Sequence, residues 1–211
     1  MRRTPPSAHL GELGSVSKID LAEDDIAAYA DAGVRVGSVR WAAGPAAAAA
    51  AATGLQVRTS AGQPGETCVS LYARADAAAP LATRCTYGVV WPASAQAHPS
   101  GNALALAVQP MAAWREMWVF HKSASGWIVD VLPPAAIDPD VGYVEFAGWV
   151  PGAAKMLAVR EARVEGRFKR SFEVLNLDTL AIEIRADKPM SVTLFHRWQD
   201  PAWRSQTVSL R

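Results

Sequence analysis

The hydrophobic pattern of the chain is that of short β-strands separated by turns. Aromatic and β-branched residues alternate with polar ones in segments of five to eight residues, and turn dipeptides such as Pro151-Gly152 and Asp178-Thr179 divide them. The clearest stretch predicts four strands, at Gly142–Trp149, Lys155–Arg160, Ser171–Leu177 and Leu180–Arg185. The polar stretch Glu161–Arg170 is then a long hairpin connection between the second and third of these strands.

The preceding segment repeats this order of strands and turns. Its predicted strands are Tyr87–Trp91, Ala103–Val108, Glu116–His121 and Trp127–Leu132. A weaker copy begins earlier, with strands at Val34–Trp41, Gly54–Thr59, Thr67–Ala73 and Leu81–Tyr87. Four short strands in a unit of about 50 residues are typical of a β-propeller blade. The alternative is an ordinary β-sandwich, which explains the strands but not their grouping in fours.

The last unit is incomplete, and the N-terminus offers strands that would complete it. Strands are predicted at Ser191–Trp198 and Ser205–Leu210, and Ser15–Leu21 with Ile26–Ala30 could supply the missing pair. Such pairing would remove two exposed sheet edges. The competing local structure is a helix over Leu21–Ala32, with three acidic residues in its first turn.

These units together predict an all-β fold: a single propeller domain over residues 1–211 with about four antiparallel blades. The blades span residues 34–87, 87–134, 142–186 and 191–211, the last completed by residues 15–30.

Two cysteines lie symmetrically about one predicted hairpin turn. Cys68 and Cys85 are equally far from the centre of Ala75–Ala78, so they would face each other on paired strands. Facing Cα atoms on antiparallel strands are about 4.5–5.5 Å apart, a separation that a disulfide can span. The alternative is a pair of buried free thiols, which a cytoplasmic location would favour.

Composition and charge exclude several classes of protein. The 211 residues are 50% hydrophobic and 19% charged, which indicates a globular chain and not a disordered one. Lysine and arginine number 21 against 20 acidic residues, so the net charge is only +1 and we expect no nucleic-acid partner. No apolar run approaches the roughly 20 residues of a membrane span, so we expect no membrane insertion.

The first residues carry basic side chains but no apolar segment behind them. As written, the chain is therefore predicted to be cytoplasmic. A periplasmic location is the alternative if Cys68 and Cys85 form a disulfide and a signal segment is missing.

Catalytic and cofactor motifs are not found in the sequence. The four histidines show no metal-ligand spacing, and there is no nucleophile elbow, phosphate-binding loop or dinucleotide fingerprint. We therefore predict no catalytic residues, no metal and no cofactor, and a protein that is not an enzyme.

One charged segment is a candidate for partner binding. The hairpin connection and its flanking arginine carry five cations and two anions, and the cations are Arg160, Arg163, Arg167, Lys169 and Arg170. In a propeller such loops lie on a face near the central channel, where they would contact an anion or an acidic partner. The alternative is a solvated hairpin of alternating charge without a binding role.

The blade pattern resembles that of WD-repeat-like and TolB-like β-propellers. The resemblance rests on GYVEFAGWVPGAAKMLAV followed by FEVLNLDTL, and on HPSGNALALAV followed by MWVFH, which together cover about residues 87–186. The Trp-Asp dipeptide of WD repeats is missing from the third strands.

The resemblance implies a non-catalytic platform for a protein or peptide partner. The alternative function is a ligand-binding or substrate-gating propeller associated with a hydrolase. An incomplete propeller would imply a homo-oligomer.

Overall fold

The computed structural model describes residues 53–136 and 141–207, together with Ala22, Asp25, Ile26, Ala28, Tyr29 and Ala32. The strands are β1 (Gln56–Ala61), β2 (Thr67–Tyr72), β3 (Ala82–Thr86), β4 (Val89–Ala97), β5 (Ala103–Met111), β6 (Trp114–Ser123), β7 (Gly126–Leu132), β8 (Gly142–Trp149), β9 (Lys155–Val164), β10 (Arg167–Asn176) and β11 (Ile182–Ala186). A 3-10 turn at Pro189–Ser191 leads into helices α1 (Thr193–Trp198) and α2 (Pro201–Gln206). None of the helices described is long and apolar enough to cross a membrane.

The strands form a small antiparallel sheet and a large mixed one. The small sheet has the order β1-β2-β3, and the large sheet has the order β11-β10-β9-β8-β6-β5-β4, with β7 paired to β6. The large sheet consists of two antiparallel meanders, which we call meander A (β4–β7) and meander B (β8–β11). A short parallel contact between β6 and β8, at Trp114↔Gly142 and Arg115↔Tyr143, joins them.

The core is arranged in layers that follow the chain order. The first apolar layer packs the small sheet on meander A and includes Val69, Leu71, Leu104, Leu106 and Phe120. The second packs meander A on meander B and includes Ala103, Met117, Val119, Val144, Met156 and Leu175. Because both faces of β5 are buried, its sequence ALALAV is continuously apolar, as is typical of inner strands.

The two C-terminal helices cover the remaining face of meander B. This third layer includes Leu157, Val159, Phe172, Val174, Phe195 and Trp203. Val192 and Phe195 are three residues apart and both buried, so the helical turn directs them to the same sheet face.

The all-β class predicted from the sequence is confirmed, and most strand positions are correct. All eight strands predicted between residues 87 and 186 overlap β4–β11, and three of the four predicted in the first unit overlap β1–β3. The remaining one, Val34–Trp41, lies outside the described residues. The single-domain assignment over residues 1–211 stays a prediction.

The resemblance to WD-repeat-like and TolB-like propellers is wrong. Within the described ranges there are two sheets, and neither closes on itself. A propeller blade is a separate sheet, whereas hydrogen bonds between β6 and β8 make the second and third predicted units one continuous sheet. The face of meander B that a fourth blade would have covered is packed by α1 and α2 instead.

The predicted closing strands also differ from the structure. Ser191–Trp198 is mainly helix α1, and Ser205 and Gln206 end α2. The described positions between Asp25 and Ala32 are helical, which agrees with the alternative of an N-terminal helix and contradicts the strand Ile26–Ala30. The predicted strand Ser15–Leu21 and residues 208–210 lie outside the described residues.

Gly148 permits the close approach of the helices to β8, and its replacement tests this packing. A Cβ atom there would lie 2.6 Å from the carbonyl oxygen of Trp198, and the residue has a φ of +144°. We expect Gly148→Ala to lower the free energy of unfolding by about 2–4 kcal/mol in urea denaturation.

Gly152→Ala is the matched control. It has a φ of +72°, but its Cβ would meet no atom within 4 Å, so backbone strain alone should cost about 1 kcal/mol. Equal losses of stability in the two variants would contradict the close packing at Gly148.

Candidate functional site

A cleft opens on the face of meander B that carries Arg160 and Glu173. Its volume is about 630 Å³, and it lies between the β7–β8 connection (residues 133–136) and strands β9–β11. Its charged and hydroxyl-bearing lining residues are Arg160, Lys169, Arg170, Ser171, Glu173, Arg185 and Asp187. One side of the cleft is therefore formed by side chains of three adjacent strands, and the other side is formed by residues 133–136 of the β7–β8 connection.

The segment predicted as a long charged loop is instead the end of a strand hairpin. β9 continues to Val164 and β10 begins at Arg167, so only Glu165 and Gly166 form the turn. Both have positive φ, 53° and 75° respectively, as two-residue hairpin turns of type I′ require. The five candidate cations therefore belong to strands, and strand alternation decides where each points.

Alternation divides these cations between the two faces of the sheet. Arg160 pairs with Ser171, Lys169 with Ala162 and Arg167 with Val164, and all three cations are on the cleft face. Arg163 pairs with Phe168 and Arg170 with Glu161, so these two are on the face toward the helices.

Arg160, Lys169 and Arg170 line the cleft, and Arg163 and Arg167 are outside its lining. Arg170 reaches the border of the cleft, but its guanidinium bonds to groups on the other face.

Glu173 organises the floor of the cleft. Its carboxylate is fully buried and accepts hydrogen bonds from Arg160 Nε at 2.7 Å, Arg185 Nε at 3.0 Å and Ser171 Oγ at 3.0 Å. Arg160 also donates to the carbonyl oxygen of Pro133, which ties the β7–β8 connection to the sheet. Because two cations share one carboxylate, the burial of that carboxylate is compensated and both guanidinium groups are held in place.

A row of polar side chains crosses the opposite face of the sheet. Arg115, Tyr143, Glu161 and Arg170 lie directly opposite one another on β6, β8, β9 and β10. The Tyr143 hydroxyl donates to Glu161 Oε2 at 2.7 Å, and Arg170 Nε lies 3.7 Å from the same oxygen. The Arg115 guanidinium lies over the Tyr143 ring at 5.3 Å from its centroid.

Glu145 connects this row to the C-terminal segment. Its Oε2 accepts hydrogen bonds from Trp203 Nε1 and from Thr207 Oγ1, each at 2.7 Å, and lies 4.0 Å from an Arg170 nitrogen. Burial raises the pKa of the Glu145 carboxyl above its ordinary value of 4.5, while the hydrogen bond from Thr207 and the charges of Arg115 and Arg170 act in the opposite direction. Burial likewise lowers the pKa of Arg115 to about 10.

The paired cysteines lie in the small sheet, which packs on meander A, whereas the cleft is on meander B. Cys68 of β2 lies directly opposite Cys85 of β3, and the two sulfur atoms form a disulfide. Closing a loop of 17 residues in this way stabilises the fold by about 3 kcal/mol in the chain-entropy model.

The central residues of both polar groups were not singled out from the sequence. Glu145 and Glu173 each stand alone within an apolar strand segment, whereas Arg115 is next to Glu116 and Arg185 lies on the exposed strand β11. For Glu145 and Glu173, this isolation is the feature of the sequence that could have revealed them, because a charge at an otherwise apolar strand position must find a partner when the strand is buried.

Searches against protein-family models, curated proteins and solved structures give no match to this chain. The function proposed below therefore follows from the chemistry of the cleft.

The raised pKa of Glu145 predicts how stability depends on pH. A carboxyl that holds its proton more tightly when folded contributes stability below its unfolded pKa of about 4.5, and this contribution is lost as pH rises through the folded pKa. Glu145→Gln removes this titration and keeps a carbonyl acceptor for Trp203 or Thr207. The free energy of unfolding of the variant relative to the wild type should therefore rise between pH 4.5 and neutral pH, measured by urea denaturation with far-UV circular dichroism.

Thr207→Val is a second variant for the same measurement of stability against pH. Its loss of the hydroxyl donor should raise the pKa of Glu145 further and make the fall of stability with pH larger than in the wild type. Parallel curves for Glu145→Gln and wild type would contradict the assignment.

Proposed function

We propose that this chain is a non-catalytic binding protein whose cleft holds an extended, acidic segment of a protein or peptide partner. The observation that carries this proposal is the placement of Arg160, Lys169 and Arg185 around one open cleft. Glu173 in the cleft lining already accepts hydrogen bonds from two of these cations, Arg160 and Arg185. The alternative considered from the sequence, a ligand-binding or substrate-gating propeller associated with a hydrolase, assumed a propeller fold and is not part of the proposal.

The shape and polarity of the cleft support a peptide over a small organic ligand. Sites for small molecules are concave, mostly apolar and enclose most of the ligand surface. This cleft is open to solvent, and about half of its lining residues are charged or hydroxyl-bearing, while the rest are prolines, alanines and the larger apolar residues Val164, Phe168 and Ile182. An extended segment with carboxylate side chains fits such a surface, because each carboxylate reaches a cation without full desolvation.

The cleft is also prepared for anions before a partner binds. About half of the Arg185 side chain is exposed (56%), although its Nε is held by Glu173. Arg160 is held at both Glu173 and Pro133 and is 14% exposed. Fixed guanidinium groups lose less conformational freedom on binding than free ones, so more of the interaction energy appears as affinity.

Charge reversal at Lys169 tests the proposal. Lys169 is exposed and lies on the cleft face, so Lys169→Glu should leave the fold unchanged and place a negative charge beside the ligand. We expect the affinity for a fluorescent glutamate-rich decapeptide, measured by anisotropy, to fall about tenfold, and wild-type binding to weaken as salt is raised.

The matched control is Lys122→Glu, since Lys122 is exposed on β6 and outside the cleft lining. It should bind like the wild type, and a glutamine-rich peptide of the same length should bind to neither. Equal binding by Lys169→Glu and Lys122→Glu would overturn the cleft as the site. Competition by millimolar inorganic phosphate as strong as that by the peptide would assign the cleft to small anions.

A further inference from the structure

The small sheet carries the one group of three candidate metal ligands found among the described residues. Glu66, Cys68 and Cys85 each offer one ligand atom, and these atoms all lie within 4.8 Å of one another. Glu66 comes directly before β2, and the two cysteines are opposite each other on β2 and β3. In the oxidised protein the sulfurs are bonded to each other, so neither is available as a thiolate.

The β1–β2 turn holds the Glu66 carboxylate beside the cysteines. The amide of Gln63 donates to Glu66 Oε2 at 3.0 Å, and the amide of Gly62 donates to the Glu66 carbonyl oxygen at 3.0 Å. Gly62 lies where the carboxylate and sulfur meet: a Cβ there would be 2.4 Å from Glu66 Oε2 and 2.9 Å from Cys68 Sγ. The missing side chain therefore leaves room for the two ligand atoms to approach each other.

We propose that reduction of the Cys68–Cys85 disulfide creates a zinc site formed by two thiolates and the Glu66 carboxylate. A dithiol reductant transfers two electrons and two protons to the disulfide, giving two thiols and its own cyclic disulfide. Zn²⁺ then displaces the two thiol protons and forms two Zn–S bonds and one Zn–O bond. Thiolate and carboxylate ligands suit Zn²⁺, and water takes the fourth tetrahedral position.

The backbone of the small sheet keeps the ligands close in both states. Tetrahedral zinc with Zn–S bonds of about 2.3 Å needs sulfurs roughly 3.8 Å apart. The Cα atoms of Cys68 and Cys85 are 3.9 Å apart, so rotation of the two side chains about their Cα–Cβ bonds supplies that separation without movement of the strands. Cys85 is exposed and Cys68 and Glu66 are half-buried, which gives reductant, metal and water access.

Disulfide and zinc are therefore alternative states of one cross-strand pair. An oxidising compartment selects the disulfide, and a reducing compartment selects the thiolates. Either state cross-links β2 to β3, and the zinc state also ties down the β1–β2 turn through Glu66. The site is independent of the cleft on meander B.

Cobalt titration of the full chain tests the proposal. The protein is reduced anaerobically with a water-soluble phosphine, because dithiols themselves bind zinc, and Co²⁺ is followed by its thiolate charge-transfer absorption. We expect one Co²⁺ per reduced chain, displacement by one Zn²⁺, and no such absorption from the oxidised chain. Failure of the reduced chain to show it would overturn the proposal, including the case in which reduction unfolds the chain and metal does not restore its far-UV circular dichroism.

Variants of the ligand residues distinguish zinc binding by Glu66, Cys68 and Cys85 together from adventitious zinc binding by thiols alone. Cys68→Ser should abolish the absorption, and Glu66→Gln should weaken Zn²⁺ binding at least tenfold in competition with a chromophoric chelator. Gly62→Ala should weaken it although every ligand remains. Glu183→Gln, which removes an exposed carboxylate on β11, is the control and should bind like the wild type. Wild-type affinity in Glu66→Gln, or binding by Cys68→Ser, would overturn the site.

Discussion

The burial of β9 and β10 on both faces is the constraint on which the rest of the structure depends. One face packs on meander A and the other on the two C-terminal helices. A charge in the mostly buried stretches of these strands, residues 156–162 and 172–175, therefore meets protein on whichever side it points and is tolerated only with a partner, whereas Arg167 and Lys169 nearer the turn are exposed. Glu173 meets this condition on the cleft face through Arg160 and Arg185, and Glu161 meets it on the helix face through Tyr143 and Arg170.

The hairpin concentrates the charges at one end of these strands. Apart from Lys155, Glu173 and Asn176, the first half of β9 and the second half of β10 are apolar and lie largely in the core, while the other halves carry the five candidate cations. Because the turn has only two residues, Glu165 and Gly166, the charged halves are directly opposite each other. The antiparallel register that brings the apolar halves of β9 and β10 together in the core thus also brings their charged halves together beside the cleft.

The sequence was sufficient for the strands but not for their assembly. Turn residues and strand periodicity are local, which is why β4–β11 were predicted near their true positions. The parallel contact that makes one sheet of two meanders involves only Trp114↔Gly142 and Arg115↔Tyr143, and it has no local signal. The segment Ser191–Trp198 is short and mixes apolar with polar residues, a pattern that fits strand and helix equally. It is helical in the structure, where its apolar residues pack on meander B.

The candidate site shows the same division between local and distant information. The cluster of five cations was visible in the sequence, but a polar stretch suggested a loop, and loops carry no alternation. Only the register reveals that Arg160, Arg167 and Lys169 share a face while Arg163 and Arg170 share the other. The partners Glu173 and Arg185 could not be assigned, since cross-strand pairing between β10 and β11 brings them together.

The number of covered faces also determines what kind of site each sheet offers. In meander B, the apolar parts of β8, β9 and β10 are covered on both faces, so most of the polar side chains there pair with one another, except where the cleft opens beside the exposed strand β11. The small sheet buries only the side with Val69 and Leu71, and Cys68 and Cys85 alternate onto its solvent side. A sheet with one packed face combines a rigid backbone with ligands open to solvent, which is what a site that exchanges electrons or metal requires. The cleft holds its cations by mutual pairing instead, which suits a surface that recognises a partner without changing its own chemistry.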